Sequence, residues 1–126
     1  MLVDEATYLH GKRVDDNPTT DPAAFSWVGL YESTVNELHR YQARFNFNDL
    51  AVEDALSVKQ RPKIDIYNEH TLVVLKTVAY DTTTERIIVG DLTLFIEPRV
   101  ILTVRHGEAL PLRSLRADLE NHPERM

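Results

Sequence analysis

The stretch from Thr71 to Arg105 constrains the fold more than any other. It holds three apolar runs of strand character, at 71–80, 86–96 and 100–105, separated by short polar breaks. Thr71–Tyr80 is rich in β-branched residues and reads as a buried strand. Asp81–Thr84 is a polar turn, so the second run should return as the antiparallel arm of a hairpin. Glu97-Pro98-Arg99 breaks the pattern again, and Val100–Arg105 supplies the third strand of a meander. A sheet of this kind needs a layer on at least one face, and the helical patterns elsewhere in the chain must provide it.

Upstream, Phe25–Tyr31 alternates Phe25, Trp27, Gly29 and Tyr31 against Ser26, Val28 and Leu30. A strand so apolar on both faces belongs inside a sheet, and a lone tryptophan there reads as core. Thr34-Val35-Asn36-Glu37 fits a capping box, and Val35, Leu38, Tyr41 or Gln42, and Phe45 follow at helical spacing. Leu50–Ser57 reads as a second, two-turn helix with Asn48 as N-cap. Ala6–Val14 suggests a short strand pair turning at His10-Gly11, and Asp15–Pro22 a connecting loop. Ile64 and Ile66 alternate with Lys63 and Asp65 as a brief half-exposed strand, and Asn68-Glu69 is a turn. After Pro111, Leu112, Leu115 and Leu119 mark a last helix that Pro123 should end. The expected architecture is an α/β (α+β) fold: a mixed, largely antiparallel sheet with helices packed on it, in one domain.

Several function classes drop out. A net charge of −6 argues against a nucleic-acid partner, which needs a basic face. With no cysteine there is no disulfide or thiolate site, and a reducing cytosol is permitted. No run approaches the roughly 18 apolar residues of a spanning helix, and the start lacks the apolar core of a signal peptide. His10, His39, His70, His106 and His122 form no close metal-ligand spacing. His106 before Gly107-Glu108 reads as a strand-to-loop boundary. No serine sits in a nucleophile elbow and no glycine-rich phosphate loop occurs, so an enzyme is not expected.

The acidic pair Glu53-Asp54 is the one charged feature out of place. It lies towards the C-terminal end of the short helix, where the macrodipole disfavours negative charge, and Asp49 sits one turn earlier. A solvated acidic face explains it. So does a hard-cation site, since Mg2+ takes one or two carboxylates and keeps several waters. Spacing leaves both open. Arg61 and Lys63, around Pro62, read as neutralising neighbouring carboxylates.

The blocks FSWVGLY (25–31), LAVEDAL (50–56), QRPK (60–63), LVVLKTVAYD (72–81) and TVRHGE (103–108), in this order, resemble the N-terminal cytosolic domain of CorA-type magnesium and cobalt transporters. The likeness runs from about Phe25 to the end. One departure is local: the family's usual His-Pro pair before the short helix is Asn48-Asp49 here. The resemblance implies a cytosolic regulatory domain that senses Mg2+, with Mg2+ or Co2+ as the transported ion. It also implies a homopentamer in the complete protein, and a membrane reached through a stalk helix and membrane helices beyond Met126. The family's regulatory acidic pair falls on Glu53 and Asp54, with the counterpart acid on the neighbouring subunit's stalk. The zinc-transporting branch of the superfamily, or a free-standing α/β ligand-binding or regulatory domain, are the alternatives.

Overall fold

A computed structural model describes residues 1–14, 21–56, 61–67, 70–107 and 112–126, without the side chains of Asp54, Tyr67 and Arg113. Most of the expected 15–22 loop, Ser57, Gln60, the Asn68-Glu69 turn, Glu108 and Pro111 lie outside the described residues.

The elements run β1 (Leu2–Leu9), β2 (Lys12–Arg13), β3 (Phe25–Tyr31), α1 (Val35–Phe45), α2 (Asp49–Ala55), β4 (Lys63–Tyr67), β5 (His70–Asp81), β6 (Arg86–Glu97), β7 (Val100–His106) and α3 (Leu112–Asn121), then a 3-10 turn at Pro123–Arg125. Seven strands form one sheet in the order β2-β1-β3-β7-β6-β5-β4. Among the described strands only β3 and β7 pair in parallel, with Val28 opposite Leu102. A parallel pair cannot be closed by a tight turn, and the chain between them crosses one face as α1 and α2 before returning through β4–β6. The fold is therefore the mixed, largely antiparallel sheet that the strand pattern implies.

Local chemistry sets the element ends. Thr34 and Glu37 form the capping box: Glu37 N donates to Thr34 Oγ1 at 3.1 Å, and Thr34 N to Glu37 Oε1 at 3.2 Å. Asn46, with φ +57, stops α1 in a left-handed residue. His10 and Gly11, with φ +51 and +77, make the β1–β2 turn, and β1 begins at Leu2 rather than Ala6.

The core lies between the sheet and the α1–α2 layer. Val28, Leu30, Leu72, Val74 and Leu102 meet Leu38 and Val52 there, all buried. On the opposite face a smaller cluster of Ala6, Tyr8 and Trp27 packs with Leu119 of α3. Trp27 Nε1 donates to Thr103 Oγ1 at 3.2 Å, so its polar edge is satisfied inside.

Two expectations change in detail. Thr71–Tyr80 is a strand throughout, but only Leu72 and Val74 are buried, whereas Val78 is 67% exposed and Tyr80 exposed. Pairing with β4 ends at Val74, and β6 pairs with β7 only up to Asp91, so beyond these points β5 and β6 continue as a bare two-stranded ribbon. The brief half-exposed strand at Lys63–Ile66 is present as β4, and it is the apolar Ile64 and Ile66 that are exposed. Ile64 pairs with Val73 and Val73 with Leu94, in register on the face away from α1 and α2. Val35 and Leu115 also carry less of the core than their helical spacing implies, both being exposed.

Candidate metal centre

α2 is short, so its start and its seat on the core determine where its acids stand. Asn48 caps it: Oδ1 accepts from Leu50 N at 2.8 Å and from Ala51 N at 3.3 Å. Ala51 and Val52 are buried and Ala55 and Leu56 partly so, which fixes the inward side. Gln42 of α1 donates to Asp49 and to Phe47 O, tying the two helices together. Asp49 stands in the first turn, where the macrodipole favours an anion. The charge at the Asn48-Asp49 departure therefore serves the α1–α2 junction, a role for Gln42 that no local pattern signals.

Glu53 is exposed in the last turn of α2, and Asp54 follows in the same helix. Among the described residues no group of three or more His, Asp or Glu side chains comes together to hold an ion. An exposed carboxylate leaves room for the waters a magnesium ion keeps, so the donor chemistry at Glu53 fits a hard cation.

The other charged candidates pair separately. Lys63 Nζ lies 2.8 Å from Asp65, in keeping with its neutralising role, and Arg61 is exposed. His106 closes β7 before Gly107, whose φ is +80 and where a Cβ would come within 3.1 Å of Val89 O. Glu32 binds this corner, accepting from Gly107 N at 2.5 Å with His106 Nδ1 at 3.2 Å. The Gly107 amide first, and His106 second, lower the Glu32 carboxyl below its ordinary range. His70 pairs with Glu97, and burial raises the Glu97 carboxyl despite that contact. His122 lies 3.4 Å from Asp118. These pairs sit at separate places in the fold.

The sheet and its layers define a class, the α/β domain seen in CorA-type structures. The soluble domain of CorA from Methanocaldococcus jannaschii matches with a TM-score of 0.64 at 15% identity, over 97% of this chain and 48% of that one. The complete CorA magnesium transporter of the same organism gives 0.65 at 13% identity, over 99% and 39%. The full-length CmaX protein gives 0.75 at 20% identity, over 95% and 39%. In sequence, residues 22–126 match the CorA-like Mg2+ transporter protein family, and the chain belongs to it. The cobalt/magnesium transport protein CorA of Thermotoga maritima is 31% identical over 67 residues, 51% of this chain and 18% of that protein. The chain thus spans less than half the length of each of these relatives. Among the described residues no helix is long and apolar enough to cross a membrane.

Proposed function

We propose that the chain is the N-terminal cytosolic, metal-sensing part of a longer CorA-type Mg2+/Co2+ transport protein. Glu53 and Asp54 would supply its share of a regulatory Mg2+ site, completed by a carboxylate from a neighbouring subunit of a homopentamer. The observation that carries this reading is the seat of α2. A capped helix with one side in the core presents an exposed Glu53, while no described trio of ligands closes a site within the chain. Ligands from elsewhere are what such a half-site requires.

The aliphatic register Ile64–Val73–Leu94, exposed at Ile64 and half-buried at Val73 and Leu94, also suits a domain that other segments complete. The membrane would be reached through helices that follow this domain, and bound metal would favour the closed channel. Neither acid contributes to packing in this reading, so their neutralisation leaves the fold intact.

The test is made in the complete transporter. Current, or protease sensitivity, is recorded against magnesium concentration for the wild type and for Glu53→Gln with Asp54→Asn. The double variant should lose most of the magnesium dependence. An unchanged dependence would remove this pair as the sensor.

A further inference from the structure

α3 is attached to the sheet by different means from α1 and α2. Those two helices bury Leu38, Tyr41, Ala51 and Val52 in the main core. None of the described side chains of α3 is fully buried; Leu112, Arg116 and Leu119, at i, i+4 and i+7, are only partly covered. Met126 adds a further apolar contact to the Ala6, Tyr8 and Trp27 cluster, and polar ties supplement it across this junction. Arg116, its side chain 12% exposed, hydrogen-bonds Asp4 of β1 and lies 4.3 Å over the Trp27 ring. Arg13 of β2 grips the same Asp4 carboxylate through both terminal nitrogens at 3.2 Å, and approaches Glu120 of α3 at 3.9 Å. Tyr8 donates its hydroxyl to Glu120 Oε1 at 2.6 Å. Beyond the helix, the 3-10 turn meets the β1–β2 turn so closely that a Cβ at Gly11 would lie 2.5 Å from Pro123 O.

We propose that α3 and the 3-10 turn form a strap held by this charged clasp, and that the strap opens as a unit while the sheet and the α1–α2 layer stay folded. The clasp alternates two cations, Arg13 and Arg116, with two anions, Asp4 and Glu120. Asp4, Arg13 and Glu120 are partly exposed, so salt screens their attraction, whereas it leaves the apolar contacts under α1 and α2 in place. Opening uncovers Trp27 and removes the Leu112 and Arg116 wall of a cleft of about 400 Å3 whose other side is formed by Gly29, Thr103 and Arg105.

Acid acts on the same contacts. Burial pushes the Asp4 carboxyl up, but the Arg13 hydrogen bond and the charges of Arg116 and Arg13 outweigh it and hold it below its ordinary range. Its contribution is present above the unfolded carboxyl pKa and is lost as pH falls through the folded one. Beyond these arginines, the charged groups around Asp4 are Glu5, engaged by Arg44 of α1, Glu120 of α3, and Arg105 of β7 across the cleft. Tyr8 is raised by burial first and by Glu120 second, so it stays a donor at neutral pH.

The 126-residue chain itself provides the assay, because Trp27 is its single tryptophan. Amide exchange over α3 and Trp27 emission are followed from about 0.05 to 1 M NaCl, in the wild type and in Asp4→Asn. Exchange in α3 should rise with salt and run about tenfold faster in Asp4→Asn, the loss expected for one charge-assisted bond. Trp27 emission should shift to the red, while β5–β7 amides and the far-ultraviolet β signal hold. Should Asp4→Asn fail to fold, Glu120→Gln is read in the same way. Two results would overturn the proposal. One is α3 protection equal to that of β3 and β7 under every condition. The other is fast α3 exchange indifferent to salt and to the substitutions.

Discussion

Val74 and Val78 occupy one strand and one face, four residues apart, yet substitution by aspartate should separate them sharply. Val74 is 1% exposed, with Thr93 and Lys63 as its cross-strand partners. Asp at 74 forfeits about 2 kcal/mol of apolar burial and adds a further ~2–4 kcal/mol for placing a carboxyl in the core. Lys63 stands directly across but is already 2.8 Å from Asp65, so it compensates only in part. The net loss of about 4–6 kcal/mol is a large share of the total for a domain of this size. Val78 lies on the ribbon past the last β4 pair, and its replacement should change stability by less than about 0.5 kcal/mol. Urea unfolding of the 126-residue chain decides the matter. At a slope of ~2 kcal/mol/M the midpoint should fall by about 2–3 M for Val74→Asp and hold within about 0.3 M for Val78→Asp. Equal losses at both positions would refute the bare-ribbon geometry. A tolerated Val74→Asp would refute the placement of the core.

Two smaller perturbations probe the junctions around the candidate site. Asn48→Ala removes the cap of α2 and should cost about 1 kcal/mol, a fall of ~3–5 °C in melting temperature. Glu97→Gln tests a carboxyl whose pKa is raised by burial against the pull of His70. A raised folded pKa contributes stability below the ordinary carboxyl range and loses it as pH rises through the folded value. At neutral pH the ionised side chain is therefore a cost, and the glutamine variant should melt at the wild-type temperature or slightly above it. That advantage should vanish near pH ~4, as melting curves taken across the range will show.

What was legible in the sequence was chemistry that acts over a few residues. Thr34 with Glu37, Asn48 before α2 and the His10-Gly11 turn each announce themselves, because their partners lie within one turn of the chain. Strand existence was legible for the same reason. Burial along a strand was not. Val74 and Val78 read alike, and only the ends of β4 and β7 determine which of them is covered. Alternation in Lys63–Ile66 correctly separated two faces, but which face meets a partner layer depends on elements far away in sequence. The clasp was invisible for a stronger reason: Asp4 and Arg116 lie at opposite ends of the chain. For the candidate site, spacing favoured a solvated acidic face without excluding a cation site. The family likeness is the ground for proposing the cation site, and the structure contributes the seat of α2 and the exposure of Glu53.

If the acidic pair does sense metal, the incompleteness of its site within one chain has an energetic consequence. A completed site with a dissociation constant of ~1 mM, at ~1 mM free metal, favours its liganded state by only ~0.4 kcal/mol. That is too little to hold a channel in either state. One such site per subunit of a pentamer, each able to bind only in the closed arrangement, sums to ~2 kcal/mol at that concentration and ~7 kcal/mol at ten times it. The first biases a two-state equilibrium by about thirtyfold, and the second closes it almost completely. A tight site within each chain would be filled at all cellular concentrations and would report nothing. Weak sites divided between chains respond over the concentration range being sensed, because assembly supplies both the missing ligand and the multiplication. An exposed Glu53 on a helix fastened by Asn48, Ala51 and Val52 meets that requirement. On the proposed reading the helix would hold the carboxylate in position, and the energy of the switch would come from the number of copies that bind together.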